Sequence, residues 1–222
     1  MNARAASRAA ALCLIGCLSF GIVSGCSNNE QNAQQSDASL ASAFEDGEIR
    51  NDYFKITVKA PDGLYILSNQ ELRQIYNLGS DIAAAGDEGL SAQLDALEQF
   101  QVPLFGVFQH PPGAAVNINP NVLGSAEKVS HLPGMKTAED YFFHSKKMMA
   151  QTAVTFVAED GYATQRIGGV DFKRMDATMT VQGQSIEQSY YAARYDDYFF
   201  LLIESARNES TQSVLENIKL DW

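Results

Sequence analysis

The run from Tyr198 to Ser205 constrains the fold more than any other stretch of the chain. Phe199, Leu201 and Ile203 alternate with Phe200 and Leu202. Successive side chains of a strand point to opposite faces, so this strand is apolar on both. Such a strand lies inside a sheet covered on both sides. Its neighbours in sequence read as a β-meander. Val154–Ala158 leads to a turn at Glu159-Asp160-Gly161, and Gly168-Gly169 makes a second turn. In the run 170–181, Val170 and Phe172 share one phase, and Met175, Ala177, Met179 and Val181 share the other. That phase change predicts a β-bulge near Lys173-Arg174. Gln182-Gly183-Gln184 turns into the strand Ile186–Tyr195, and Asp196-Asp197 turns into Tyr198–Ser205.

The covering layers come from amphipathic helices. Ser68-Asn69-Gln70-Glu71 is a capping box, after which Leu72, Ile75, Tyr76, Gly79, Ile82 and Ala83 fall on one stripe. A shorter helix presents Leu90, Leu94 and Leu97. Thr137, with Asp140 three residues on, caps a helix whose stripe is Ala138, Tyr141, Phe142, Ser145, Met148 and Met149. Glu209–Asn217 closes the chain with Val214, Leu215 and Ile218. Strands are expected at Phe54–Val58, Leu64–Leu67, Val102–Phe108 and Ala115–Ile118, with Pro103 marking a strand start or an edge. The pattern is α+β, with helices packed on a mainly antiparallel sheet.

The N-terminus constrains location. All three cysteines lie in the first 26 residues of the 222. Arg4 and Arg8 precede an apolar run from Ala9 to Val23, too short to span a bilayer, as in a secretory signal. The run ends in Val23-Ser24-Gly25-Cys26, which resembles the bacterial lipobox. That resemblance implies cleavage before Cys26, a diacylglyceryl thioether on its sulfur and acylation of the new amino group. Residues 1–25 are thus expected as a lipoprotein signal peptide and Cys26 as the lipidation site. Two or more acyl chains hold a protein stably at a bilayer. Ser27 is not the aspartate of an inner-membrane retention signal, which favours the outer membrane in a two-membrane cell. With Cys13 and Cys17 removed and Cys26 consumed, no thiol pair remains for a disulfide.

Residues 26–50 are rich in Asn, Gln, Ser and Ala and read as a lipidated disordered tether with a reach of about 25–30 Å. Residues 51–222 then form one globular domain. The formal net charge of −11 disfavours a nucleic-acid partner, which selects a basic face.

Two stretches carry a family resemblance. The opening strand, with Phe54, Ile56, Val58 and Pro61-Asp62-Gly63-Leu64-Tyr65, is similar to the start of PsbP-like proteins. The ending resembles their final hairpin, helix and short strand, from Tyr190-Tyr191-Ala192-Ala193-Arg194 through Phe199–Ile203 to Val214–Leu220. The tryptophan of the family pattern is replaced by Leu64-Tyr65, and a helical segment, 68–100, is added. The resemblance implies an α/β/α sandwich around an antiparallel sheet and carries no activity.

Candidate chemistry is sparse. His110, His131 and His144 lack the i, i+4 spacing of a helical metal pair, and no P-loop, GxSxG or HExxH occurs. His110 and His131 flank Pro-containing loops and are the residues a metal-dependent enzyme or hydrolase would use. Glu159-Asp160 and Asp196-Asp197 read as turns, and Asn208-Glu209-Ser210 as a helix start rather than a glycosylation site. Tyr190, Tyr191, Tyr195 and Tyr198 are the candidate binding surface, because an exposed aromatic patch marks a partner or ligand site. The expected role is a membrane-anchored bacterial envelope lipoprotein, acting as a non-catalytic binding or adaptor module for an envelope protein or small ligand. No cofactor is expected. The alternative is an envelope hydrolase or metal-dependent enzyme built on the loop histidines.

Overall fold

A computed structural model describes residues 40–222. The signal peptide expected over residues 1–25, Cys26 and most of the expected tether lie outside the described residues. The chain runs β1 (Ala43–Glu45), β2 (Glu48–Asn51), β3 (Ile56–Lys59), β4 (Tyr65–Ile66), α1 (Asn69–Ala84), α2 (Glu88–Glu98), β5 (Gln101–Phe108) and β6 (Asn121–Lys128). It continues α3 (Ala138–Met149), β7 (Thr155–Ala158), β8 (Ala163–Ile167), β9 (Val170–Val181), β10 (Gln184–Tyr195), β11 (Tyr198–Ser205), α4 (Glu209–Glu216) and β12 (Ile218–Leu220).

The larger sheet has the order β4-β5-β6-β11-β10-β9-β7, with β8 also on β9, and the smaller β1-β2-β3-β12. Every pairing is antiparallel. β11 lies between β6 and β10, and its whole length is buried. On one face of the large sheet, Phe172, Tyr191, Phe200, Leu202, Val122 and Ala126 pack with Ile49 and Val58 of the small sheet and with Phe54 of the turn between β2 and β3. Val214 and Leu215 of α4 complete that core. On the other face, Phe199, Leu201 and Ile203 meet Tyr141 and Phe142 of α3, while Leu123 and Phe108 meet Leu72, Ile75 and Tyr76 of α1. The fold is therefore α+β, a sandwich whose central antiparallel sheet has α1–α3 on one side. The small sheet and α4 cover the other.

Three local features depart from the sequence reading. Residues 43–50, placed in the tether by composition, form the β1–β2 hairpin together with Asn51. Asp46 and Gly47 turn it with φ of 50° and 76°, a left-handed pair suited to a tight hairpin. Ile49 then docks into the core at 2% exposure, and Asn51 donates to the Leu40 carbonyl oxygen. The hairpin adds to the edge of β3, and that pairing outweighs the low apolar content of the segment.

No bulge occurs at Lys173-Arg174, because the β9–β10 register is continuous from Lys173 to Val181. The phase change arises because β9 changes the face it buries. Phe172 enters the core under the small sheet, whereas Met175 enters the core under α3. The irregularity lies instead in β5, between Pro103 and Phe105. Finally, Ala115–Ile118 is a loop rather than a strand.

Gly124 on β6 is required by packing. A Cβ there would stand 2.2 Å from the Phe105 ring, so Phe105 lies flat on the strand only because the side chain is absent. Among the described residues, no helix is long and apolar enough to cross a membrane.

Candidate functional site

The polar chemistry of the domain gathers where β11 hands over to α4. Glu204 sits on the strand face that also carries Phe200 and Leu202, and it is fully buried. A buried carboxylate is costly unless its oxygens are hydrogen-bonded and its charge paired. Here Oε2 accepts from Tyr191 Oη at 2.8 Å and Arg207 Nε at 3.0 Å. Oε1 accepts from Thr211 Oγ1 at 2.6 Å and from Gln212 Nε2. Thr211 is also the N3 residue of the α4 capping box, with Asn208 as N-cap. Glu204 therefore ties the first turn of α4 to the centre of the sheet.

Arg207 extends the network outward. A terminal guanidinium nitrogen donates to Ser189 Oγ at 2.8 Å and to Tyr191 Oη at 3.0 Å, and lies 4.0 Å from Asp176. Ser189 donates to Asp176 Oδ1 at 2.5 Å, and Arg174 pairs with Asp176 Oδ2 at 2.8 Å. Burial pulls the Arg207 guanidinium down, but the hydrogen bond to Glu204 and the charges of Tyr191 and Glu204 leave it raised overall. Burial and the neighbouring Glu204 push the Tyr191 phenol well above its ordinary value, so it remains a donor. A cleft of about 240 Å³ opens beside this network, lined by Glu159, Asp176, Thr178, Glu187, Ser189 and Arg207 among others. Its strongest groups already hold one another.

A second cleft, of about 340 Å³, lies between α1, the end of α2 and the start of β5. Asn69, Arg73 and Asn77 recur one turn apart along α1 and line it, beside Leu72 and Tyr76. Glu98, Gln99, Gln101, Val102 and Pro103 form the facing wall, and Ala41 borders it. Glu98 accepts from Ser80 Oγ at 3.1 Å, and Asn69 donates to the Ser42 carbonyl oxygen. Arg73 and Asn77 have no side-chain hydrogen bond or ion pair among the described residues.

The sequence-predicted candidates fall elsewhere. Tyr190, Tyr191 and Tyr198 are buried rather than a surface patch. Tyr190 donates to Gln188, Tyr191 joins Glu204, and Tyr198 packs edge-on against Phe54 with centroids 5.1 Å apart. Tyr195 is half-buried against Trp222 and donates to the Tyr53 carbonyl oxygen at 3.2 Å. Consecutive aromatics on strands covered from both sides become core, which is why Tyr190, Tyr191 and Tyr198 form no surface patch.

His110 and His131 do not converge. His110 is tied through its backbone to Asn119, just before β6 begins. His131 follows the other end of that strand, stacked on Phe100 with centroids 4.1 Å apart. Eight strand residues separate those ends by roughly 25 Å. Partial burial and the nearby Lys128 lower the His131 imidazole. Among the described residues, no three His, Cys, Asp or Glu side chains gather as a metal site.

Sequence reasoning missed Glu204 and Arg73. The first had a signal: one acid inside an otherwise apolar strand covered on both faces must be buried and partnered. The Asn69, Arg73, Asn77 ladder had none, because its spacing is that of any solvated helix face.

The fold and its clefts define an α+β domain with a buried carboxylate clamp and an adjacent polar cleft. No family model matches the chain, and no curated protein does. Among solved structures, it is similar to LpqN, described as involved in cell envelope biogenesis of Mycobacterium tuberculosis, at 14% identity and a TM-score of 0.39. That match covers 74% of this chain and 82% of LpqN. It is also similar to the PsbP protein of the cyanobacterium Synechocystis, at 9% identity and a TM-score of 0.44, covering 79% of this chain and 94% of the other.

Proposed function

We propose that this protein is a lipid-anchored bacterial envelope protein and a non-catalytic binding module. Its ligand site is the cleft between α1, α2 and β5. The anchor rests on Val23-Ser24-Gly25-Cys26 following the short apolar run. The binding reading rests on one contrast. Arg207 directs Nε and one terminal nitrogen to Glu204, Ser189 and Tyr191, whereas Arg73 and Asn77 face a cleft with no partner among the described residues. Polar groups that line a concave site are the ones that orient a ligand there.

Thermal melts of the purified chain against a panel of amino acids, short peptides, chitin oligomers and polyols test this reading. A compound that raises the melting temperature of the wild type but not of Arg73→Ala supports it. If no compound does so, or if every shift survives in Arg73→Ala, the cleft is not the site and the reading fails.

A further inference from the structure

Resting on the cleft described above, we infer that its ligand is a short extended peptide bearing a free carboxylate, bound through Arg73. Four features of the cleft point to this class. Arg73 presents a planar guanidinium with no partner among the described residues, and that group matches a carboxylate or a phosphate in a two-pronged hydrogen bond. Glu98 lines the same cleft, and the chain carries a net charge of −11. Both oppose a dianionic phosphate more than a single carboxylate, and Glu98 offers an acceptor for the ammonium at the other end of a peptide.

Amides also line the site. Asn77 supplies a donor and an acceptor at once, the pair that a peptide group presents. Gln99 and Gln101 stand on the facing wall, with Gln99 donating to the Ala96 carbonyl oxygen and keeping its own carbonyl available as an acceptor. Leu72, Val102 and Pro103 give an apolar floor for small side chains.

The architecture leaves room for an extended chain. β4 is two residues long and pairs with Val107 and Phe108, so the first half of β5 has a strand neighbour on the β6 side alone. A peptide lying between α1 and this part of β5 follows an edge that no strand of the described domain covers. A sugar fits less well. Sugar sites use an exposed aromatic face, and the one ring lining this cleft, Tyr76, is 8% exposed with its hydroxyl turned to the Gly124 carbonyl oxygen.

Isothermal titration of the purified full chain with three probes tests the inference: trialanine, trialanine amidated at its C-terminus, and tri-N-acetylchitotriose. Trialanine is expected to bind with Kd of about 1 mM, the level set by its size. Amidation of the probe and the substitution Arg73→Ala should each weaken binding by about tenfold or more, because both remove the charged hydrogen-bonded pair. Asn77→Ala should weaken it by a smaller factor. Arg73 is on the exposed side of α1, so its variant should melt with the wild type, and that melt is measured alongside.

If trialanine and its amide bind equally, or trialanine does not bind while the chitin oligomer binds in an Arg73-dependent way, the peptide assignment is overturned and the cleft remains a binding site. If no probe binds, the peptide assignment is again overturned, and the melting panel above then decides separately whether the cleft binds anything.

Discussion

Glu204 and Arg207, three residues apart, meet at 3.0 Å, with the Glu204 side chain fully buried and the Arg207 side chain 40% exposed. The pair joins the central strand to the helix that follows it, because the same carboxylate also accepts from Thr211 in the first turn of α4. Removing the carboxylate by Glu204→Ala takes the acceptor from Tyr191 and Gln212, while Thr211 keeps the Asn208 carbonyl oxygen. We expect a loss of about 3 kcal/mol, at the low end for breaking a buried pair because Arg207 can turn to water. Glu204→Gln retains an acceptor and should lose less. Urea unfolding of both variants measures the order, and equal stability of wild type and Glu204→Ala would contradict the clamp.

Neighbouring leucines on β11 test the two-sided core. Leu201 packs under α3 and Leu202 under the small sheet. Each truncation to Ala should cost about 2–5 kcal/mol, since a buried leucine loses both transfer energy and cavity contacts. The two sites face different cores, so the double variant should show near-additive losses in denaturant melts.

The β1–β2 hairpin makes the ordered domain longer than composition suggests. A fragment of residues 40–222 should melt well above one of residues 51–222, which lacks Ile49 and the strand paired with β3. Ile49→Ala in the longer fragment should reproduce part of that loss, by about 2–4 kcal/mol. Coincident melting curves for the two fragments would show that the hairpin adds nothing.

Alkaline titration should expose the buried phenols. Burial, with the adjacent Tyr53, pushes Tyr198 up to about 12, and burial with Glu204 pushes Tyr191 higher still. A phenol whose folded pKa is raised stabilises the fold fully below its unfolded value of about 10. That contribution is lost as pH climbs from about 10 through 12. Stability followed by circular dichroism should therefore fall across that window, and Tyr198→Phe should flatten part of the fall.

Cys26 carries the anchoring reading. Metabolic labelling with a fatty acid should mark the wild type and not Cys26→Ala, which should also retain its leader. Label on the variant would place the modification elsewhere.

Periodicity and caps are local, so the sequence marks α1–α4 and most of the strands, but it misses the hairpin at 43–51 and places a strand at Ala115–Ile118 where the chain loops. Ser68 with Glu71 and Thr137 with Asp140 close the boxes their spacing announces, and Asn208 caps α4. It also determined that β11 is central, since alternation apolar in both phases has no other stable burial. Tertiary structure alone decided which partner each face meets. The phase change in β9 reads as a bulge along the chain, but in space it is one strand of unbroken register passing from one core to another. The hairpin at 43–51 forms because β3 offers it an edge, which its own composition cannot reveal. Tyr190, Tyr191 and Tyr198 became core, and His110 and His131 were set at opposite ends of β6, for the same reason. Long-range pairing fixes distances between residues far apart in sequence, whereas spacing fixes only those within a single element. Arg73 is the clearest case: a solvated helix residue by periodicity, it lines a cleft only because α2 and β5 are folded against α1.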